Sequence, residues 1–129
     1  MGLLNDHLKM SAALEKAVDE YNDLEHWPIV IDAGFYTVYH MMEAAHALDC
    51  RDTSTFADGF DLLERIFVPQ GLGRDFVEQF DYLFFFRRGT IYGPHVPTDA
   101  QLRNYVNVSK DALKKARAFY ERQKAQPNR

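Results

Sequence analysis

Apolar residues recur along most of this chain at intervals of three and four, the spacing that gathers side chains on one face of a helix. No segment alternates apolar and polar residues with the period of two that a half-buried strand shows. The pattern predicts an all-α protein, an up-and-down bundle of four to five helices with short loops. The predicted helices cover residues 3–25, 29–49, about 55–67, about 74–88 and about 99–124.

Short sequence signals mark where these helices begin and end. The run His26-Trp27-Pro28 should end the first helix, because a residue before proline avoids the helical region. Asp52-Thr53-Ser54 and Thr98 provide caps for the third and fifth helices. Gly89 has the residue type that follows helix C-termini, so we expect the fourth helix to end at Arg88.

The second predicted helix is apolar over much of its circumference, which is typical of a central helix. Its small residues would let neighbouring helices approach closely, and they are Ala33, Gly34, Ala44 and Ala45. The inner face of the first helix is predicted to contain Leu4, Leu8, Ala12, Leu14 and Val18, and that of the fifth Leu102, Tyr105, Val106, Ser109, Leu113, Ala116, Phe119 and Tyr120.

The fourth predicted helix carries Arg87 in the middle of an apolar stripe. A guanidinium stays charged and is costly to bury unpaired, so Arg87 needs an anionic partner or a wet interface. A second apolar face on the same helix indicates a subunit interface or a binding groove. The stripe consists of Phe76, Phe80, Leu83 and Phe84, and the second face of Tyr82, Phe85 and Phe86.

The length of 129 residues fits one domain, residues 1–129, with a polar tail that we expect to be frayed from about residue 124. The single Cys50 excludes an internal disulfide and fits a reducing compartment. No signal peptide precedes the first helix, and no apolar run reaches membrane-spanning length. We therefore expect a cytoplasmic protein that does not bind membranes.

Charge is distributed unevenly along the chain, although the net charge is only -4. Residues 1–86 contain 5 Lys/Arg and 16 Asp/Glu, giving -11, whereas residues 87–129 contain 10 Lys/Arg and 3 Asp/Glu, giving +7. One interpretation is that acidic and basic helices attract each other inside the bundle. Another is that the last helix offers a basic patch to phosphates. Both hold at once if only part of the basic charge is paired.

The histidines do not predict a metal site. Glu43-Ala-Ala-His46 has the spacing of di-iron bundles, but such sites need a second copy and two more carboxylates. The other candidate, Asp23-Leu-Glu-His26, has Asp in place of Glu and stands at a helix end. We interpret Glu43 and His46 as a pair on the helix surface, His40 as a core or interface histidine with a local hydrogen bond, and His7 as solvated. No metal and no cofactor are expected.

Candidate catalytic residues follow the fourth helix, and they are Arg87, Arg88, Tyr92 and His95. A guanidinium would neutralise the charge that grows on a phosphate in the transition state. An imidazole, which titrates near neutral pH, would move the proton of a ribose 2′-hydroxyl or of the leaving group. The alternative is structural: Arg87 pairs with a core carboxylate such as Asp32 or Glu43, and His95 is a loop residue.

The order of these helices resembles that of the HEPN family of small α-helical domains, over about residues 8–123. The best-matching parts are the tyrosine-rich stretch from Ala33 to Ala45, the segment from Arg87 to His95, and the closing stretch from Ala116 to Tyr120. The resemblance implies an all-α HEPN-like fold. It also implies a motif at a dimer interface that, in many members, makes a metal-independent endoribonuclease.

Two versions of that motif are similar to this sequence. Members commonly have Arg, four to six residues and then His, and Arg88 precedes His95 by six residues. Other members have Arg, three residues and then Asp-Tyr-Gly. Here Arg87 is followed after three residues by Ile91-Tyr92-Gly93, with Ile in place of Asp. Gly89 also stands directly after Arg88, where a polar residue is usual, and Gly93-Pro94 gives His95 a non-helical backbone path.

Two classes of function follow for the expected homodimer. In the first, a toxin-like ribonuclease, Arg87 or Arg88 binds the scissile phosphate, and His95 is the acid/base that Tyr92 helps to orient. In the second, the chain is a non-catalytic module that binds a nucleotide or a partner protein. The family resemblance implies a minimal nucleotidyltransferase as that partner.

Overall fold

The computed structural model describes residues 2–49 and 67–126, and these form four α-helices and one short 3-10 turn. The described residues contain no strand, which confirms the predicted all-α helical bundle. The third predicted helix, its cap at residues 52–54 and Cys50 lie outside the described residues, except for Phe67. The helices are α1 (Gly2–Glu20), α2 (Trp27–Asp49), α3 (Arg74–Ile91) and α4 (Asp99–Lys124), and the turn is Leu24–His26.

The central position predicted for α2 is confirmed, because this helix packs against α1, α3 and α4. Helix α4 lies close to α2 at Gly34, which has no side chain. The Gly34 carbonyl accepts a 2.6 Å hydrogen bond from the Ser109 hydroxyl. One turn earlier, the buried Tyr105 hydroxyl donates to the carbonyl of Ile31 at 2.7 Å. These bonds satisfy polar groups of α4 that would otherwise be buried without partners.

Helix α1 is held on α2 by two reciprocal hydrogen bonds. The Ser11 hydroxyl donates to the Thr37 carbonyl, and the Thr37 hydroxyl donates to the Ser11 carbonyl, each at 2.6 Å. The predicted inner face of α1 is therefore wrong at Ala12, which is exposed, whereas Ser11 is buried. A serine fills this position because the facing backbone supplies its partners.

The boundary between the first two helices differs from the prediction, because α1 ends at Glu20 instead of residue 25. Asp23 then caps the 3-10 turn, since its carboxylate accepts a hydrogen bond from the His26 amide at 2.9 Å. Helix α2 begins at Trp27, so Pro28 lies in its first turn. Proline is tolerated there because amide groups of the first turn have no intrahelical partner.

Helix α3 also runs further than predicted, through Gly89 to Ile91. The Tyr92 amide still donates to the Arg88 carbonyl at 3.3 Å, which continues the helical bonding past the expected end. The chain passes closest to the end of the helix at Gly93. A Cβ at this position would lie only 2.5 Å from the Gly89 carbonyl oxygen, so a glycine is needed there. The second glycine of the segment, not the first, marks where the chain leaves the helix.

Helix α4 agrees with the prediction at both ends. Thr98 forms a capping box with Gln101, whose side-chain oxygen accepts from the Thr98 amide at 2.9 Å. All eight residues predicted for its inner face are buried. None of the helices in the described ranges combines the length and the apolar character needed to cross a membrane.

Candidate functional site

Arg87 lies at the centre of an aromatic cage between α3 and α2. Its Nε donates a 2.7 Å hydrogen bond to a carboxylate oxygen of Asp32, and an Nη donates to the Tyr92 hydroxyl at 3.2 Å. Its guanidinium carbon lies 4.7 Å from the ring centre of Tyr36, 5.1 Å from that of Tyr92 and 5.6 Å from that of Phe35. The side chain is 11% exposed. Arg87 is therefore paired, stacked and largely shielded from water.

The sequence of α2 explains why the cage forms at this place. Asp32, Phe35 and Tyr36 are spaced three and four residues apart, so they share one helix face. Arg87 meets that face from the last turn of α3, and Tyr92 closes it as the residue after the helix. The structural alternative considered for Arg87 is thus confirmed, with Asp32 and not Glu43 as its partner.

The cage also determines the electrostatics of its members. Burial by itself would lower the pKa of Arg87, but the hydrogen bonds that Arg87 donates to Asp32 and Tyr92 outweigh burial, and the net pKa is raised. Burial raises the pKa of the nearby Tyr105 phenol well above its usual value. The guanidinium is fixed in its charged form, and its ion-pair partner Asp32 is 47% exposed.

Arg88 differs from its neighbour, because its side chain is exposed. Within residues 2–49 and 67–126, no carboxylate forms an ion pair with its guanidinium. A helical step of about 100° separates the two arginines, so Arg88 faces away from the cage. Of the two, Arg88 is the arginine that an added phosphate would reach without breaking an existing ion pair.

His95 is exposed and is held by the capping box of α4. Its Nε2 lies 3.0 Å from the side-chain oxygen of Gln101, the same oxygen that accepts the Thr98 amide. Because that oxygen is an acceptor, Nε2 of His95 must carry the proton. In the neutral ring, Nδ1 is then the nitrogen that has a free lone pair. The His95 amide also donates to the Gly89 carbonyl at 3.3 Å, so the segment folds back onto the end of α3.

The structure brings together only part of the predicted site. Arg87 contacts Tyr92 on the side of α3 that faces α2. The His95 ring instead packs edge-on against Phe86, 6.1 Å between ring centres, and Phe86 lies against Tyr105 of α4. Arg87 therefore contacts Asp32 and Tyr92, whereas the His95 ring contacts Phe86 and Gln101.

The second apolar face of α3 is mostly covered by the chain itself, which corrects the expectation of an open face. Tyr82 and Phe86 pack against Tyr105, with ring centres 6.1 and 5.2 Å away. Phe85 remains open, with 58% of its surface exposed. Tyr92 and Val96 are exposed by 72% and 64%. We call Phe85, Arg88, Tyr92, His95 and Val96 the α3-end surface.

The uneven charge of the sequence leads to ion pairs between helices. Lys110 and Arg117 of α4 form ion pairs with Asp19 and Glu15 of α1, at 2.6 and 2.7 Å. Lys115 of α4 also lies 2.7 Å from a carboxylate oxygen of α3. These contacts support the interpretation that acidic and basic helices attract each other, and they occupy much of the basic charge on the last helix.

Sequence reasoning missed a cluster in which His7 of α1 meets His40 and Glu43 of α2. The predicted surface position of Glu43 and His46 is wrong, because both are buried. His7 was expected to be solvated, yet only 11% of its side chain is exposed. The three-residue spacing of His40 and Glu43 was a usable signal, but nothing in the sequence places His7 beside them.

Comparisons with protein-family models, with curated proteins and with solved structures find no match to this chain. The relation to the HEPN family therefore stays a prediction from the quoted residues.

Proposed function

We propose that the chain is a HEPN-like, metal-independent endoribonuclease whose composite site forms when two copies meet at their α3-end surfaces. In this proposal, Arg88 binds the scissile phosphate and His95 is the acid/base. Arg87 holds the end of α3 in place through Asp32 and Tyr92. We place the site between two copies because the HEPN resemblance implies a motif at a dimer interface, and because Phe85, Tyr92 and Val96 are exposed apolar residues.

The observation that carries this proposal is the orientation of the His95 ring. Gln101 accepts from Nε2, so in the neutral ring Nδ1 has the free lone pair, and the side chain is exposed. A catalytic base needs an orienting partner at one nitrogen and a free lone pair at the other. Because Gln101 also accepts the Thr98 amide of the capping box, its oxygen holds the His95 ring in one orientation.

The chemistry would be a transesterification within the RNA strand. His95 Nδ1 takes the proton of a ribose 2′-hydroxyl, and the oxygen attacks the adjacent phosphorus. The bond to the 5′-oxygen breaks, that oxygen takes the proton back from the His95 imidazolium, and the products are a 2′,3′-cyclic phosphate and a 5′-hydroxyl end. Arg88 balances the negative charge that develops on the non-bridging oxygens.

The test is an RNA-cleavage assay with the purified chain in excess chelator. We expect wild-type protein to cleave, and Arg88→Ala and His95→Ala each to lower the rate at least about 100-fold, the range typical of removing an acid/base group. Both side chains are exposed, so melting temperatures should change little. Arg103→Ala, which removes another exposed arginine near the start of α4, is the matched control and should cleave normally.

Absence of cleavage by wild-type protein on several structured and single-stranded RNAs would contradict the enzyme. Cleavage that survives His95→Ala would contradict the role given to this residue.

A second candidate is a non-catalytic module that binds RNA, a nucleotide or a partner protein such as a minimal nucleotidyltransferase. It is favoured by the Arg87 ion pair, because a guanidinium already balanced by Asp32 suits a structural role. This module would bind RNA without cutting it, and Arg88→Ala would weaken binding. For both candidates we propose a cytoplasmic location, since a single cysteine fits a reducing compartment.

A further inference from the structure

A cluster of two imidazoles and one carboxylate joins α1 to α2 away from the α3-end surface. The Nδ1 atoms of His7 and His40 lie 3.0 Å apart. An oxygen of Glu43 lies 3.5 Å from the first and 3.3 Å from the second. The three side chains are 11%, 23% and 8% exposed, so the cluster is largely enclosed. We infer that His7, His40 and Glu43 bind one divalent transition-metal ion of the zinc type.

The size of the triangle matches such an ion. Bonds of about 2.0–2.2 Å in tetrahedral geometry separate neighbouring ligand atoms by about 3.3–3.5 Å. The observed separations of 3.0, 3.3 and 3.5 Å fall close to this range. In the plane of the three atoms, the point equally far from all of them lies about 1.9 Å from each. Zinc bonds are slightly longer than this, so the ion would lie slightly above the plane, as tetrahedral geometry requires.

The ring of His7 has one nitrogen inside the cluster and one outside it. Nδ1 lies beside His40 and Glu43, whereas Nε2 is buried and has no hydrogen-bond partner among the residues that the structure describes. Nδ1 is therefore the atom that would bind the ion. A metal bond at Nδ1 would couple metal binding to the packing of α1 on α2.

The ligand set selects the kind of ion. Two imidazoles with one carboxylate suit zinc and its neighbours in the first transition row, whereas calcium and magnesium prefer oxygen ligands alone. Three protein ligands leave a fourth position for water or a small anion. This inference does not depend on the proposed ribonuclease, because none of the three residues belongs to the α3-end surface.

The experiment is a titration of the chelator-treated full chain with zinc chloride, followed by calorimetry, and with cobalt chloride, followed by visible absorption. We expect one ion per chain with a Kd in the micromolar range or below, and a cobalt spectrum of tetrahedral type. His7→Gln and Glu43→Gln should each weaken zinc binding at least tenfold. Because Glu43→Gln keeps the shape of the side chain, it remains informative if His7→Gln disturbs folding, which circular dichroism would report.

His26→Gln is the matched control, because His26 belongs to an exposed cluster with Asp23 and Glu25. Its zinc affinity should equal that of wild type. The inference is overturned if wild-type protein shows no saturable zinc binding, or if His26→Gln loses affinity while His7→Gln and Glu43→Gln do not. One ion per two chains would also overturn it, since all three ligands come from one chain.

Discussion

Arg87 illustrates how a permanent charge is accommodated on an apolar helix face. The guanidinium keeps one carboxylate partner in Asp32, one phenolic partner in Tyr92 and three aromatic rings around it. Each stacked ring contributes about 0.5–2 kcal/mol, depending on how far water is excluded. The adjacent Arg88 has the same side chain without any of these contacts, which makes the pair a natural internal comparison.

Arg87→Ala should lower the free energy of unfolding by about 2 kcal/mol, through loss of a charge-assisted hydrogen bond and of ring stacking. In a chain of this size, that corresponds to a fall in Tm of about 8 °C, which calorimetry would detect. Arg88→Ala is the control and should stay within about 0.5 kcal/mol of wild type. Equal melting temperatures for Arg87→Ala and wild type would contradict the structural role of the cage.

At the scale of helices, the bundle depends on one place of very close approach. A Cβ at Gly34 would lie 2.8 Å from a ring carbon of Tyr105 and 3.3 Å from the Ser109 hydroxyl. Both neighbours are buried and hydrogen-bonded to the α2 backbone, so they have little freedom to move. Gly89 is also helical, but nothing lies within 4 Å of the Cβ that it lacks.

The same substitution at these two glycines should therefore change stability in opposite directions. Gly34→Ala is expected to destabilise by about 1–3 kcal/mol because of overpacking, even after the better helix propensity of alanine is included. Gly89→Ala should stabilise by up to about 1 kcal/mol from helix propensity alone. Urea unfolding of both variants measures this difference, and a stabilised Gly34→Ala protein would show that α4 does not pack this closely on α2.

At the scale of the whole molecule, the ion pairs between α1 and α4 and the exposed apolar residues of the α3-end surface involve different parts of the chain. Ion pairs between α1 and α4 use the opposite charges of the two ends of the sequence. The α3-end surface instead exposes Phe85, Tyr92 and Val96 together with two basic residues of the proposed site. Exposed apolar groups beside candidate catalytic groups are consistent with the proposed meeting of two copies.

The proposed homodimer predicts that the chain in solution has twice the 15.0 kDa mass of one copy. Phe85→Lys should shift it to a monomer, because a lysine charge buried without a partner in the proposed interface would be costly, and it should reduce RNA cleavage in parallel. Met10→Lys, at another exposed apolar residue on α1, should leave the dimer intact. Sedimentation velocity measures both, and a monomeric wild type would contradict the composite site.

How much of the structure can be predicted from the sequence depends on how far apart in the chain the interacting residues are. The capping box at Thr98 and Gln101 joins residues three apart, and it was predictable from the residue types alone. The end of α3 was harder, because Gly89 and Gly93 both carry the signal for a helix end and only the backbone path separates them.

The sequence by itself determined the helical period, the inner face of α4, the central position of α2 and the need of Arg87 for a partner, since these follow from residue type and spacing along one helix. Only the tertiary structure decided that Asp32 is that partner and that His7 faces His40 and Glu43. The physical reason is that these contacts join residues far apart in the chain. They depend on how closely helices approach, and that distance is determined jointly by side chains on several elements.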